Sequence, residues 1–306
     1  MMETRTLGKH GPALSVVGLG CNNFGMAIDA PAAAAVVRAA LDAGINHFDT
    51  AEMYGGGQSE EMLGAALGSR RDEAVVATKF LPRQGDEPYR PGALAKRIRE
   101  AAEGSLRRLG TDRIDLYYQH FPDPEAPVEE ALETLDELVQ AGKVLHIASS
   151  NVSADQIAAA AATADARGWT PFCGTQIHWN LLNREVEESV VPAAEATGLG
   201  VVPYFPLASG LLTGKYRRGE PFPEGTRLAR QERFAAGATE ENFARIETYE
   251  AFAAARGHTI TELAIAWLLA QPSVASVIAG ATRPEQVATN AAAAWVLTPE
   301  EAAEVA

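Results

Sequence analysis

Short apolar, β-branched runs alternate along this chain with alanine-rich stretches whose apolar positions recur at helical spacing. "LSVVGLG" (Leu14 to Gly20) reads as a buried strand, and "PAAAAVVRAALDAG" after it as a helix, with Pro31 in its first turn and Gly44 at C′. "INHFDT" is the second strand, followed by the helix "SEEMLGAALG", for which Ser59 is the expected N-cap. "AVVATKF" precedes a helix from Pro91 to Leu109, and "RIDLYYQH" leads through a Pro-rich loop to a helix from Val128 to Ala141. "KVLHIASSN" is followed by a helix from Asp155 to Ala166, and "PFCGTQIHW" by one from Val186 to Thr197. The seventh strand, "GLGVVPYF", opens an irregular stretch from Ser209 to Thr239, then helices from Glu240 to Arg256 and from Thr261 to Ala270. "SVASVIAG" is the last strand, and Pro284 to Ala294 the last helix.

Eight strand candidates, each followed by a helix, predict an α/β fold with a parallel sheet closed into a (β/α)8 TIM barrel, an architecture of about 250 residues. A doubly wound open sheet is the rival. Its glycine fingerprint is incomplete, because Gly18-Leu19-Gly20 runs on into Cys21-Asn22-Asn23-Phe24. No interdomain linker interrupts residues 1–306, which therefore read as one barrel domain. The Ser209 to Thr239 stretch is the long loop after strand seven, over one barrel face. "TRTLGKHGPALS" suggests an N-terminal β-hairpin around Gly11-Pro12, capping the barrel bottom.

Active sites of such barrels lie at the C-terminal ends of the strands. Strand two ends in Asp49, with Tyr54 just beyond, strand three in Thr78-Lys79, and strand four in Gln119-His120. Strand five ends in Ser149-Ser150-Asn151, strand six in Gln176 and strand seven in Tyr204. A barrel mouth brings these together although they are far apart in sequence.

Composition narrows the partners. With 26 Lys+Arg against 40 Asp+Glu the net charge is −14, and such a surface repels nucleic acid and anionic lipid. A phosphorylated ligand then needs its own cationic patch. Cys21 and Cys173 belong to no metal-binding spacing, so no metal site is expected, and two cysteines cannot make a disulfide framework. "MMETRTLGKHG" lacks the apolar core of a leader, and no run of about 18 apolar residues is present. The expectation is a cytoplasmic protein without membrane partners, its oligomeric state unreadable.

A phenol with a pKa near 10 exchanges protons poorly at neutral pH, but an adjacent ammonium stabilises its phenolate. Asp49 paired with Lys79 would keep that ammonium charged and aimed, while His120 polarises a carbonyl oxygen or relays a proton. Each residue has a plainer reading: Asp49 a turn-former, Tyr54 a packing residue, His120 a satisfied core histidine. Lys79 is harder to dismiss, because a charge closing a buried strand needs a partner.

At these residues the chain resembles the aldo-keto reductase family. "GINHFDTAEMYGGGQSEEMLGAAL" is similar to the family signature around the catalytic acid and tyrosine, "VATKF" to its lysine segment and "IDLYYQHFPD" to its histidine segment. The resemblance runs from "VVGLGCNNFG" to "GATRPEQVATN" and implies NAD(P)H-dependent reduction of a small-molecule carbonyl substrate. It implies Tyr54 as proton donor, Lys79 as its tuner, Asp49 as the partner of Lys79 and His120 as orienter of the carbonyl. It further implies Ser150, Asn151 and Gln176 on the nicotinamide carboxamide and Tyr204 against the ring. The loop "PLASGLLTGKY" would cross the pyrophosphate through Pro206, Leu207, Gly210 and Leu212, with Lys215, Arg217, Arg218 and Arg227 as its cations. Gly20, Gly280, Thr282, Arg283, Gln286 and Asn290 complete the implied cofactor set, with Asp49 reaching it too.

The chain departs from the family pattern at Phe205, where many relatives carry serine, and at Thr282, where many carry a basic residue. NADPH is expected through Arg283 as a fork for the 2′-phosphate, with NADH the alternative. Phe24, Met26, Phe80, Phe121 and Trp179 are the expected pocket walls, and the short tail after Asn290 suggests an open pocket. Two rival functions stand beside reduction: a lyase forming a Schiff base at Lys79, and a cofactor-binding regulatory subunit or redox sensor.

Overall fold

A computed structural model describes residues 2–83, 88–293 and 295–305. Eight parallel strands run in the order β10-β3-β4-β5-β6-β7-β8-β9. They are β3 (Val17–Gly20), β4 (His47–Asp49), β5 (Val75–Phe80), β6 (Ile114–Gln119), β7 (Val144–Ser150), β8 (Gly174–His178), β9 (Gly200–Tyr204) and β10 (Val277–Gly280). Val201 of β9 bridges to Val274, just before β10, and brings the first and last strands of the sheet together. The result is the expected (β/α)8 barrel. The N-terminal hairpin is present as well: β1 (Thr4–Thr6) pairs antiparallel with β2 (Ala13–Ser15). Leu14 and Ser15 thus belong to the hairpin, and the first barrel strand begins at Val17 rather than Leu14.

The helices follow from their apolar spacing. In α4 (Val128–Gln140), Ala131, Leu132, Leu135 and Leu138 form one buried stripe. α3 (Ala93–Leu109) buries Leu94, Ile98, Ala102 and Leu109 in the same way. Asp29 caps α1 (Ala30–Asp42) through Ala32 N, and Ser153 with Gln156 forms a capping box on α5 (Ala154–Arg167). Ser59 is not the N-cap of α2 (Gln58–Leu67). Gly57 caps that helix, and the buried Ser59 hydroxyl bonds the Cys21 carbonyl and Thr50 Oγ1.

α6 (Val190–Thr197) is preceded by a separate 3-10 turn, Glu185–Glu187. The stretch after β9 is less irregular than its sequence suggests. It holds a 3-10 segment (Ala208–Thr213) and two short helices, α7 (Arg227–Arg230) and α8 (Glu232–Ala235), before α9 (Glu240–Ala254) and α10 (Ile260–Leu269). α11 spans Pro284–Ala292, and position 294, the expected end of that helix, lies outside the described residues. α12 (Pro299–Val305) has no counterpart in the sequence reading; its Val305 and the preceding Leu297 join the core around α9 and α10. Among the described residues no helix is long and apolar enough to cross a membrane.

Strand alternation divides the core in two. Ala77, Leu116, Tyr118, Ala148, Val202 and Ile278 fill the barrel, with Leu7 and Leu14 of the hairpin plugging its lower end. Gly8 is required there: its φ is +60, and a Cβ would stand 2.3 Å from the Cys173 carbonyl.

Candidate active site

The polar ends of the strands converge at the upper rim. On β4, alternation turns Asp49 inward and Phe48 out toward the helices. On β5, Lys79 points in, while Thr78 reaches out to Glu60 of α2 at 2.6 Å. Tyr54 opens a 3-10 turn, Tyr54–Gly57, in which Gly55 and Gly56 take φ of 58° and 63°. These left-handed positions let the chain swing from the strand into α2 while leaving Tyr54 at the mouth.

Lys79 is fully buried, with its Nζ 2.6 Å from Asp49 Oδ1 and 2.8 Å from the Thr50 carbonyl. Its ammonium lies 5.2 Å from the Tyr54 ring centroid. Asp49 Oδ2 accepts from Gln176 Nε2 at 2.8 Å. The Tyr54 and His120 rings meet edge to face, 5.9 Å apart at 82°, and Phe121 stacks on His120 at 4.8 Å. Asp49, Tyr54, Lys79 and His120 therefore form one cluster.

The electrostatics of this cluster are set by burial and mutual charge. Burial alone would pull the Lys79 pKa down, but Asp49 and Tyr54 together outweigh it and raise it. Burial raises Tyr54, and the opposing pull of Lys79 only partly offsets this, so the phenol keeps its proton at neutral pH. The expected lowering by the ammonium is present but does not win. Burial, then the Lys79 charge, drives His120 down to about 3, so the imidazole is neutral. Its Nδ1 is buried without a hydrogen-bond partner among the described residues.

The candidate cofactor residues fall into a bonded set and a scattered one. Tyr204 donates to Asn151 Oδ1 at 2.8 Å, and Asn151 Nδ2 donates to Ser150 Oγ and the His120 carbonyl. Ser150 Oγ in turn donates to the Gln176 carbonyl at 3.0 Å. His178 stacks on the Tyr204 ring at 5.3 Å and 10°. Beyond β9, Pro206 and Leu212 are buried, Leu207 packs against the cores beneath it, and Gly210, at φ 99°, donates its N–H to the Leu207 carbonyl.

Arg227 lies over the rings of Phe205 and Phe234 and donates to Asn23 Oδ1 at 3.0 Å. Burial lowers its pKa, and it has no carboxylate within ion-pairing distance among the described residues. Lys215 sits over the Tyr216 ring. Arg217 and Arg218 are not free for phosphate: Arg217 pairs with Glu250, and Arg218 with Glu247 and Glu240. Gly20 and Gly280 face each other in register across β3 and β10, leaving bare backbone at the rim. Thr282 N and Oγ1 both bond Gln286 Oε1, Arg283 is exposed at the N-cap of α11, and Asn290 is buried.

The expected pocket walls need correction. Phe80 follows Lys79 and so points the opposite way, packing on Tyr117 at 5.2 Å among α3 residues. Trp179 is core, edge-on to Trp267 and bonded to Glu187. Phe24 is fully buried against α1 and α2; only Met26 and Phe121 are exposed.

The sequence reading also missed the buried Glu60, held by Thr78 and by Arg108 Nε at 2.6 Å, which ties α2 and α3 to β5 beside the site. An acid on the inner face of a helix was the available signal. Asn23, the partner of Arg227, carried none.

The family model for the aldo/keto reductase family matches residues 16–306. "Aldo-keto reductase YhdN" of Bacillus subtilis (strain 168) is 36% identical over 310 residues, covering 98% of this chain and 91% of its own length. "L-glyceraldehyde 3-phosphate reductase" of Escherichia coli (strain K12) is 34% identical over 311 residues, covering 97% and 89%. "Probable voltage-gated potassium channel subunit beta" of Oryza sativa subsp. japonica is 36% identical over 310 residues, covering 98% and 94%.

Proposed function

The chain belongs to the aldo/keto reductase family of oxidoreductases, and from that premise we propose that it reduces aldehydes or ketones with NADPH, using Tyr54 as the proton donor. One observation carries this reading: the buried Lys79 ammonium, fixed by Asp49 at 2.6 Å, lies 5.2 Å from the Tyr54 ring. When bound, the dihydronicotinamide supplies the hydride. Tyr54 holds the proton for the carbonyl oxygen, and the positive charge of Lys79 steadies the phenolate left behind. His120 is neutral and its buried Nδ1 has no acceptor among the described residues, so Nε2 is the nitrogen that carries the proton and orients the carbonyl.

The residues present fit a dinucleotide. Tyr204 has His178 on one face and its hydroxyl tied to Asn151, which makes a fixed wall for a flat ring. Ser150, Asn151 and Gln176 stand beside it for the carboxamide. Arg227, a half-buried cation, and the bare backbone of Gly20 and Gly280 suit a pyrophosphate crossing the rim. The choice of NADPH over NADH rests on Arg283, exposed at a helix N-terminus with no ion pair among the described residues. Arg283→Ala raises the KM for NADPH far more than for NADH; equal effects contradict that assignment.

A Schiff-base lyase needs a neutral lysine, and a Lys79 whose charge is held by Asp49 and the Thr50 carbonyl is the opposite. A regulatory role finds support in the name of the rice relative, while the intact cluster favours catalysis. Consumption of NADPH over a panel of aldehydes, ketones and sugars tests the proposal: turnover of at least one class is expected, and none with any would end it.

A further inference from the structure

Gln176 joins two bonded sets. Its main-chain carbonyl accepts from Ser150 Oγ at 3.0 Å and Asn151 N at 3.2 Å. Its side chain turns to the other set and donates from Nε2 to Asp49 Oδ2 at 2.8 Å, across 127 residues of sequence. Asp49 Oδ1 meanwhile takes Lys79. An ionised carboxylate only accepts, so the amide nitrogen must face Asp49, leaving Oε1 for another donor, with the Tyr118 phenol also beside the amide. The amide is buried, with little water to take the place of either contact.

We propose that Gln176 is a positioning residue that couples recognition of the nicotinamide carboxamide to the proton donor: Oε1 takes a carboxamide N–H while Nε2 holds Asp49. The inference rests on the reductase reading above. Charge on Asp49 raises the Tyr54 pKa and charge on Lys79 lowers it. The amide N–H draws off part of the Asp49 charge, and so affects how far Lys79 offsets the rise. The other groups facing this cluster are Cys21 beyond β3, His47 on β4, Tyr118 on β6, His120 beyond β6 and Tyr204 on β9. Burial keeps Cys21 and Tyr118 protonated and both histidines neutral in the alkaline range, so they do not titrate alongside Tyr54 under mild conditions.

The test is Gln176→Met, which keeps the length and removes the donor. Tyr54 ionisation is read in the free protein as the tyrosinate absorbance that Tyr54→Phe lacks. It moves to higher pH in the variant, by less than the roughly one unit that the lost bond is worth at Asp49 itself, because Tyr54 feels the change only through the Asp49 charge. At saturating NADPH the alkaline limb of carbonyl reduction moves the same way. An unchanged titration with only a raised KM for NADPH makes Gln176 a plain ligand and overturns the proposal.

If the wild type reduces no carbonyl, the reductase reading fails, yet the free-protein titration still decides the coupling. If the variant does not fold, wild type bound to NADP+ is compared with wild type bound to its 3-acetylpyridine analogue, whose acetyl group has no N–H. Tyr54 titrates higher in the analogue complex, and identical titrations contradict the inference.

Discussion

The two ends of this barrel use the same strands for opposite purposes. At the lower end Leu7 and Leu14 are wholly buried, the Gly8 backbone rests on Cys173, and the cluster inside is apolar, with the bonded pair His47 and Ser276 beside it. At the upper end the same strands terminate in Asp49, Lys79, Ser150 and Gln176, all buried and all polar. Among the described residues the four non-glycine positions with positive φ are Asn151, Phe205, Ala208 and Ser209, every one of them at the mouth. Such conformations cost roughly 1–3 kcal/mol each and persist only where the surroundings impose them. The closed end holds the strands together, and the open end spends some of that stability on charge and strain. Substitution at the closed end should therefore cost stability alone, while substitution at the open end strikes the chemistry as well.

The largest expected effect comes from Lys79→Met, which strikes the mouth. Asp49 is left buried beside Gln176 without its counter-charge, a loss of about 3–5 kcal/mol in the unfolding free energy unless the carboxyl takes up a proton. Carbonyl reduction falls by roughly 10²–10⁴-fold. Urea unfolding and steady-state rates measure the two together. Leu7→Ala strikes the opposite end: it should cost about 2–5 kcal/mol of stability while leaving kcat unchanged at temperatures where the variant stays folded. A large fall in kcat there would break the division between the ends.

The third prediction concerns pH. Burial lowers His47 from 6.5 to about 4, so the folded state binds its proton less readily than the unfolded chain. Its contribution is complete above the unfolded value and is lost as pH falls through 6.5 toward 4. That loss is about 3 kcal/mol, read by urea unfolding across the range. The smallest effect is Ser209→Gly, at φ 58°. It should leave stability unchanged or raise it by up to ~1 kcal/mol, while loosening the loop raises the KM for NADPH. A clear loss of stability would show that the strain at the mouth is not local.

The barrel was legible because each strand is a short apolar run and each helix an apolar stripe, and the strand ends then pointed to Asp49, Lys79 and His120. Period-two alternation also contained what the pocket assignment overlooked: with Lys79 inward, Phe80 has to face the helices. Tyr54 could be placed at the mouth but not oriented, since the turn of Gly55 to Gly57 sets its direction through backbone angles. Ser59 was misread because an N-cap and a buried hydroxyl look alike until tertiary contacts choose between them. Glu60 with Arg108 and Gln176 with Asp49 join residues 48 and 127 positions apart, and no local pattern marks such pairs. α12 lay in an alanine-rich tail without an apolar stripe strong enough to separate it from coil.

The central claim is that Tyr54 delivers the proton, and Tyr54→Phe tests it with the smallest change available. The measurement is single-turnover reduction of a carbonyl substrate at saturating NADPH, with NADPH affinity determined alongside by fluorescence. NADPH should bind as in the wild type while the reduction rate falls by roughly 10²–10⁴-fold. A variant that reduces the same substrate at the wild-type rate would contradict the account.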